Sequence, residues 1–239
     1  MTVIVQRGPL KKRRIKVTPL RILIVASLLG AILLGGGSWL LRRWAPDRGR
    51  YPIQGVTVSA GSGTVHWPSV KVKGADFAYL LASSGSAQRD PSFTTNLTGA
   101  REAGLRYGAI HRYMICTGAT AQATTFIATV PRDPDMLPPV VALDRLDGCP
   151  RPSRDRLLAE LNTFLNQIEA HSGKPAILRI TREVEAAYDL SAGINRTLWL
   201  EGAFFSPGYA TRPWVMWTAS TWRRVPGIDG TLEWDVVRP

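Results

Sequence analysis

Residues 140–181 read VVALDRLDGCPRPSRDRLLAELNTFLNQIEAHSGKPAILRIT. The middle of this stretch is a helix by its spacing. After Pro152 and Ser153, the side chains Leu157, Leu161, Phe164, Leu165 and Ile168 fall on one face. Gly173 follows the last of them, where a helix stops. On either side, 140–146 and 175–181 are short and rich in β-branched and aliphatic residues, as strands are. Strand, helix and strand in succession imply parallel strands in an α/β fold. The pattern extends upstream, with strands expected over 55–59, 77–83 and 107–113 and helices over 93–103 and 119–129. Downstream come a helix over 182–190 and strands over 198–203, 215–220 and 232–237. These late strands lie closer together, with weaker helical signal between them. The expected fold is an irregular, TIM-like β/α barrel, helical in its first half and strand-rich in its second. There is no internal repeat or low-complexity tract.

The chain has 239 residues, 45% hydrophobic and 20% charged, which excludes a disordered or collagenous protein. Its net charge of +12 invites an anionic partner. However, Arg7, Lys11, Lys12, Arg13, Arg14, Lys16 and Arg21 all precede the first long apolar run, so much of the basicity is a topology signal and no nucleic-acid partner is expected. From 22 to 41 no residue is charged, a run long enough to span a bilayer as a helix. A cleaved signal peptide is the other reading, but no Ala-x-Ala site closes the run. Trp39 and Trp44 suit a membrane interface, and the excess of Lys and Arg before the run keeps the N-terminus in the cytoplasm. The expected organisation is a basic tail over 1–21, one transmembrane signal anchor over 22–41, a linker over 42–52 and an exported domain over 53–239. That makes a single-pass inner or plasma membrane protein with a periplasmic or extracytoplasmic domain. Cys116 and Cys149 are either one disulfide in an oxidising compartment or two buried thiols. No Cys-x-x-Cys or His/Cys cluster suggests a metal, and nothing in the chain implies a cofactor.

From residue 55 to the C-terminus the sequence resembles the lysozymes of glycoside hydrolase family 25. The resemblance is carried in order by Gly55-Val56-Thr57-Val58-Ser59, Phe77-Ala78-Tyr79, Asp90-Pro91-Ser92-Phe93, Ala100-Arg101-Glu102-Ala103-Gly104-Leu105, Gly108-Ala109-Ile110-His111, Leu137-Pro138-Pro139-Val140 and Pro226-Gly227-Ile228-Asp229-Gly230. It implies a barrel that cleaves the muramic-acid linkage of peptidoglycan, with the site at the C-terminal ends of the strands. Such enzymes work with paired carboxyl groups.

The departures from the family pattern fall on that chemistry. Thr57 stands where the family has its first-strand aspartate, and Ala142-Leu143-Asp144 stands on its Asp-x-Glu motif. Asp144 is then the counterpart of the general acid, and Ala142 has lost the partner carboxylate. Glu233 is the acidic residue near the last strand, with Asp235 beside it. Ser84 replaces a usual glutamate and Thr218 a usual glutamine. With Ser84, Asp235 and His111, the aromatic residues Trp199 and Trp217 are candidates for holding sugar. Each position has a plainer alternative. Asp144 can be a strand-end carboxylate paired with Arg112 or Arg145. His111 can be an interior hydrogen-bonding residue, and the tryptophans can be barrel filling. Arg179, Arg223 and Arg224 are either contacts to an anionic glycan or ordinary surface charges. The function expected is a membrane-anchored, lysozyme-like domain acting on or binding peptidoglycan glycan strands, with its catalytic carboxylates largely lost. A pseudoenzyme serving as a non-catalytic envelope scaffold or protein-interaction module is the alternative. In an intact groove, Thr57→Asp, Ala142→Asp and Asp144→Glu together are expected to raise hydrolysis.

Overall fold

The computed structural model describes residues 19–146 and 148–239. The tail residues Arg7, Lys11, Lys12, Arg13, Arg14 and Lys16 lie outside the described residues. The chain divides after Leu41 into an N-terminal unit and a barrel unit. In the first, α1 spans Pro19–Leu41. Its segment Ile22–Leu41 has 20 residues, a mean hydropathy of 2.0 and no burial. At 1.5 Å per residue that segment is about 30 Å long, the thickness of a bilayer core. A signal sequence has the same character.

The barrel unit runs β1 (Gln54–Val58), α2 (Trp67–Val72), β2 (Phe77–Ser84), β3 (Gln88–Arg89), α3 (Phe93–Glu102), β4 (Arg106–Arg112), α4 (Ala119–Thr129), β5 (Val140–Leu143), α5 (Arg154–Ser172), β6 (Ile177–Ile180), α6 (Arg182–Tyr188), α7 (Leu190–Gly193), β7 (Thr197–Glu201), β8 (Met216–Arg223) and β9 (Leu232–Val237). Eight strands close on themselves in the order β1-β2-β4-β5-β6-β7-β8-β9, with β3 hairpinned onto β2 outside the ring. The strands from β1 to β8 in this ring are mutually parallel, whereas β9 is antiparallel to both β8 and β1. The reason is the connection: 224–231 is far too short for the crossover that a parallel pair requires. The result is a closed mixed barrel with helices packed around it.

Helix α5 starts and stops where its sequence says. Ser153 Oγ accepts from the Arg156 N–H at its start, and Gly173 takes a left-handed φ of 69° at its end. Leu157, Leu161, Phe164, Leu165 and Ile168 are all buried. Each such side chain contributes about 2 kcal/mol by leaving water.

Two apolar layers result from strand alternation. One fills the barrel with Phe77, Tyr79, Ile110, Val140, Ala142, Ile177, Trp199 and Met216. The other lies between barrel and helices and includes Val141, Leu143, Leu178 and the α5 face. Any strand residue therefore declares its side by its parity. On β5, Ala142 faces in and Leu143 faces out, so Asp144, just past the strand, continues the inward row.

Candidate active site

A cavity of about 260 Å³ opens at the C-terminal ends of the parallel strands. Its wall includes Thr57 and Ser59 from the end of β1, Arg112 from the end of β4, Ala142 and Asp144 from β5, Arg179 from β6 and Glu233 from β9. Of the positions assigned from sequence, Thr57, Ala142, Asp144 and Glu233 line it. Asp235 lies beneath, fully buried, and touches the wall through Thr57.

The centre of the site is Arg179, which the sequence left open as either a glycan contact or an ordinary surface charge. It is in register with Ala142 on one side and Trp199 on the other, and is only 5% exposed. Its guanidinium donates to Glu201 from Nε at 2.9 Å and from a terminal nitrogen at 2.5 Å, and its other terminal nitrogen pairs with Glu233 at 2.6 Å. It also lies over the Trp199 ring, 5.1 Å from the centroid. Burial alone works against its charge, but the carboxylates of Glu233 and Glu201 outweigh that and hold it protonated.

Asp235 carries the second perturbed group. Thr57 Oγ1 donates to one of its oxygens at 2.8 Å and Thr218 Oγ1 to the other at 2.7 Å. Thr218 in turn accepts from Trp199 Nε1 at 2.8 Å. Burial, reinforced by the charge of Glu233, pushes the Asp235 carboxyl up to about 7, against the opposing pull of Arg179 and the two hydroxyls. Asp144 is held differently. Arg112 Nε donates to its Oδ2 at 2.6 Å, which selects Arg112 over Arg145 as its partner, while no donor among the described residues reaches the buried Oδ1.

The remaining assigned residues stand elsewhere. His111 faces the helices, opposite in parity to Ile110 and Arg112, and is wholly buried. It accepts from Ser83 Oγ at 2.9 Å and donates to Gln122 Oε1 at 3.3 Å, because the Gln122 amide nitrogen is committed to the carbonyls of Met114 and Thr117. Burial pushes its pKa down to about 4, so it is a neutral interior residue. Trp217 also faces outward, against Tyr51 and Trp214, and donates to the Gly202 carbonyl at 2.5 Å. Trp199 is buried inside the barrel and does not line the cavity, with its indole nitrogen spent on Thr218. Ser84 ends β2 in register with Arg112 and does not line the cavity. Cys116 and Cys149, in the loops after β4 and β5, are placed as a disulfide with Cα atoms 6.2 Å apart. Among the described residues, no group of three or more His, Cys, Asp or Glu side chains is arranged to hold a metal ion.

A closed barrel with a carboxylate-bearing cavity at its strand ends defines a glycosidase-like architecture. The sequence profile of glycosyl hydrolases family 25 matches residues 56–228, and the chain belongs to that family. It is 26% identical over 199 residues to Lysozyme M1 of Streptomyces globisporus, covering 76% of this chain and 66% of that protein. It is equally 26% identical over 193 residues to the uncharacterized protein YegX of Escherichia coli K12, covering 78% and 70%. Among solved structures, a family 25 glycosyl hydrolase from Bacillus anthracis superposes with a TM-score of 0.75 at 27% identity, covering 82% of this chain and 92% of that one. A lysozyme from Streptomyces coelicolor superposes with a TM-score of 0.68 at 25% identity, covering 78% and 92%.

Proposed function

We propose that this protein is a membrane-anchored family 25 barrel that holds peptidoglycan glycan strands in its cleft and hydrolyses them far more slowly than a lysozyme. The observation that carries this reading is the ion-paired Arg179 at the centre of the cleft. Glycoside cleavage passes through an oxocarbenium-like state, which needs free negative charge beside the anomeric carbon. At the family's acidic positions this chain offers the hydroxyl of Thr57, the methyl of Ala142 and the shortened acid Asp144. The two carboxylates nearest the centre, Glu201 and Glu233, are spent on Arg179, and one oxygen of Asp144 is spent on Arg112. Removing one transition-state electrostatic partner costs about a hundredfold to a thousandfold in rate. Binding a sugar chain makes no such demand. It rests on shape and neutral hydrogen bonds, and the hydroxyls of Ser59, Ser62, Thr221 and Thr231 in the cavity wall supply them. In this reading Asp144 and Glu233 are what remains of the acid pair, α1 is the anchor with a cytoplasmic N-terminus, and Cys116–Cys149 is a disulfide suited to an exported domain.

The test uses the full-length protein in detergent, incubated with purified peptidoglycan beside an active lysozyme, with sedimentation and release of reducing ends both measured. The expected result is co-sedimentation with reducing-end release at least about a hundredfold below the lysozyme. Efficient release that Asp144→Asn abolishes would show that Asp144 is a working acid. Failure to sediment with the polymer would favour the scaffold alternative.

A further inference from the structure

The connection 202–215, between β7 and β8, presents an aromatic side chain to solvent on a strained turn. The Phe205 N–H donates to the Ala203 carbonyl at 2.8 Å, closing a three-residue turn around Phe204, whose φ is 64°. A bulky L-residue adopts positive φ only at a cost, and such strain clusters at functional sites. The turn separates two adjacent phenylalanines. Phe204 packs against Trp44, with ring centroids 5.0 Å apart, and against Trp222 at 5.6 Å. Phe205 is left 82% exposed, the one exposed large aromatic among the described residues of the barrel unit.

The same place is where the chain enters the barrel. The Arg224 N–H donates to the Arg42 carbonyl at 2.9 Å, and Arg42, Arg43 and Arg224 are all exposed. Arg42 is bonded directly to Leu41, the last residue of the apolar helix. At no more than about 3.6 Å per residue, Trp44 lies within roughly 11 Å of the end of that helix. With that span held in a bilayer, the first residues of the barrel unit are tethered within this reach of its surface. The patch also has the chemistry of an interfacial anchor, an exposed aromatic beside basic side chains. We propose that Phe205, flanked by Arg42, Arg43 and Arg224, rests among the headgroups of an anionic lipid surface. This rests on the reading of α1 as a retained membrane anchor. Gly202 and Ala203, which lead into the turn, also line a groove shared with Asp144 and Glu201.

The test places an environment-sensitive fluorophore on Phe205→Cys in the full chain, reconstituted into vesicles with or without phosphatidylglycerol and carrying bromine-labelled acyl chains. The same label on Val72→Cys, an 83% exposed position on α2, is the reference. The expected result is a blue shift and bromine quenching at 205 but not at 72. The quenching should be stronger with phosphatidylglycerol, and that gain should be lost in Arg42→Gln/Arg224→Gln. A label at 205 as wet as that at 72, in a chain that resists alkaline extraction, would overturn the proposal, leave the anchor standing and point to a protein partner for Phe205. Alkaline extraction of the whole chain would overturn both.

Discussion

Asp235 is the residue on which the altered cleft turns. Two threonine hydroxyls and Arg179 favour its charged form, yet full burial and the neighbouring charge of Glu233 outweigh them and push its pKa up to about 7. In the unfolded chain it titrates near an ordinary aspartate. Between those two values the unfolded state releases the proton and the folded state keeps it, so stability falls as pH rises through this window. The contribution is fully present below about pH 4 and gone above about pH 7, a change on the order of 4 kcal/mol. Asp235→Asn keeps the shape of the protonated form and removes the titration. Urea midpoints of parent and variant, compared at pH 4.5 and 7.5, are expected to show the parent losing ground to the variant at the higher pH. A constant difference across that range would mean that Asp235 is ionised throughout.

At the level of elements, long periodic segments were legible and short ones were not. The five apolar positions of α5 fixed it, and it occupies the span they predict. Helix α2 has six residues and a proline in its first turn, too little to show a period. Strand β5 ends at Leu143 because the chain turns away at Asp144 into the loop that carries Cys149. The site was half legible. Family likeness led to Thr57, Ala142, Asp144 and Glu233, which do line the cavity, but it also drew in His111, which faces the helices, and Trp217, which faces outward against Trp44, Tyr51 and Trp214. Strand parity was the signal passed over, since counting by twos along β4 from Ile110 selects Arg112 and rejects His111. The loops after β4 and β5 also hold the cysteine pair, 33 residues apart in sequence. Closing a loop of that size restricts the unfolded chain. Replacing both cysteines by serine is expected to lower stability by about 2–4 kcal/mol in urea titrations under oxidising conditions. An unchanged midpoint would mean two free thiols.

Over the whole molecule, the sequence pointed to a barrel with a strand-rich second half but to parallel strands throughout, whereas β9 returns antiparallel to close it. What no local pattern disclosed was that strands distant in sequence assemble one charge network. Arg179 comes from β6, Glu201 from β7, Thr218 from β8, and Glu233 and Asp235 from β9, while Thr57 comes from β1. This changes the outcome expected for the variant carrying Thr57→Asp, Ala142→Asp and Asp144→Glu. An aspartate at 57 replaces a hydroxyl that donates to Asp235 and sets a second carboxylate against it. Like charges at that distance, out of water, are costly. An aspartate at 142 arrives in register beside Arg179 and is drawn into its ion pairs, so it is not free to face a developing positive centre. The triple variant is therefore expected to have a lower urea midpoint than the parent and no substantial gain in reducing-end release from peptidoglycan. A gain of about a hundredfold, the worth of one restored electrostatic partner, would show instead that the groove lacked only its charges and that Arg179 stands clear of the reacting sugar.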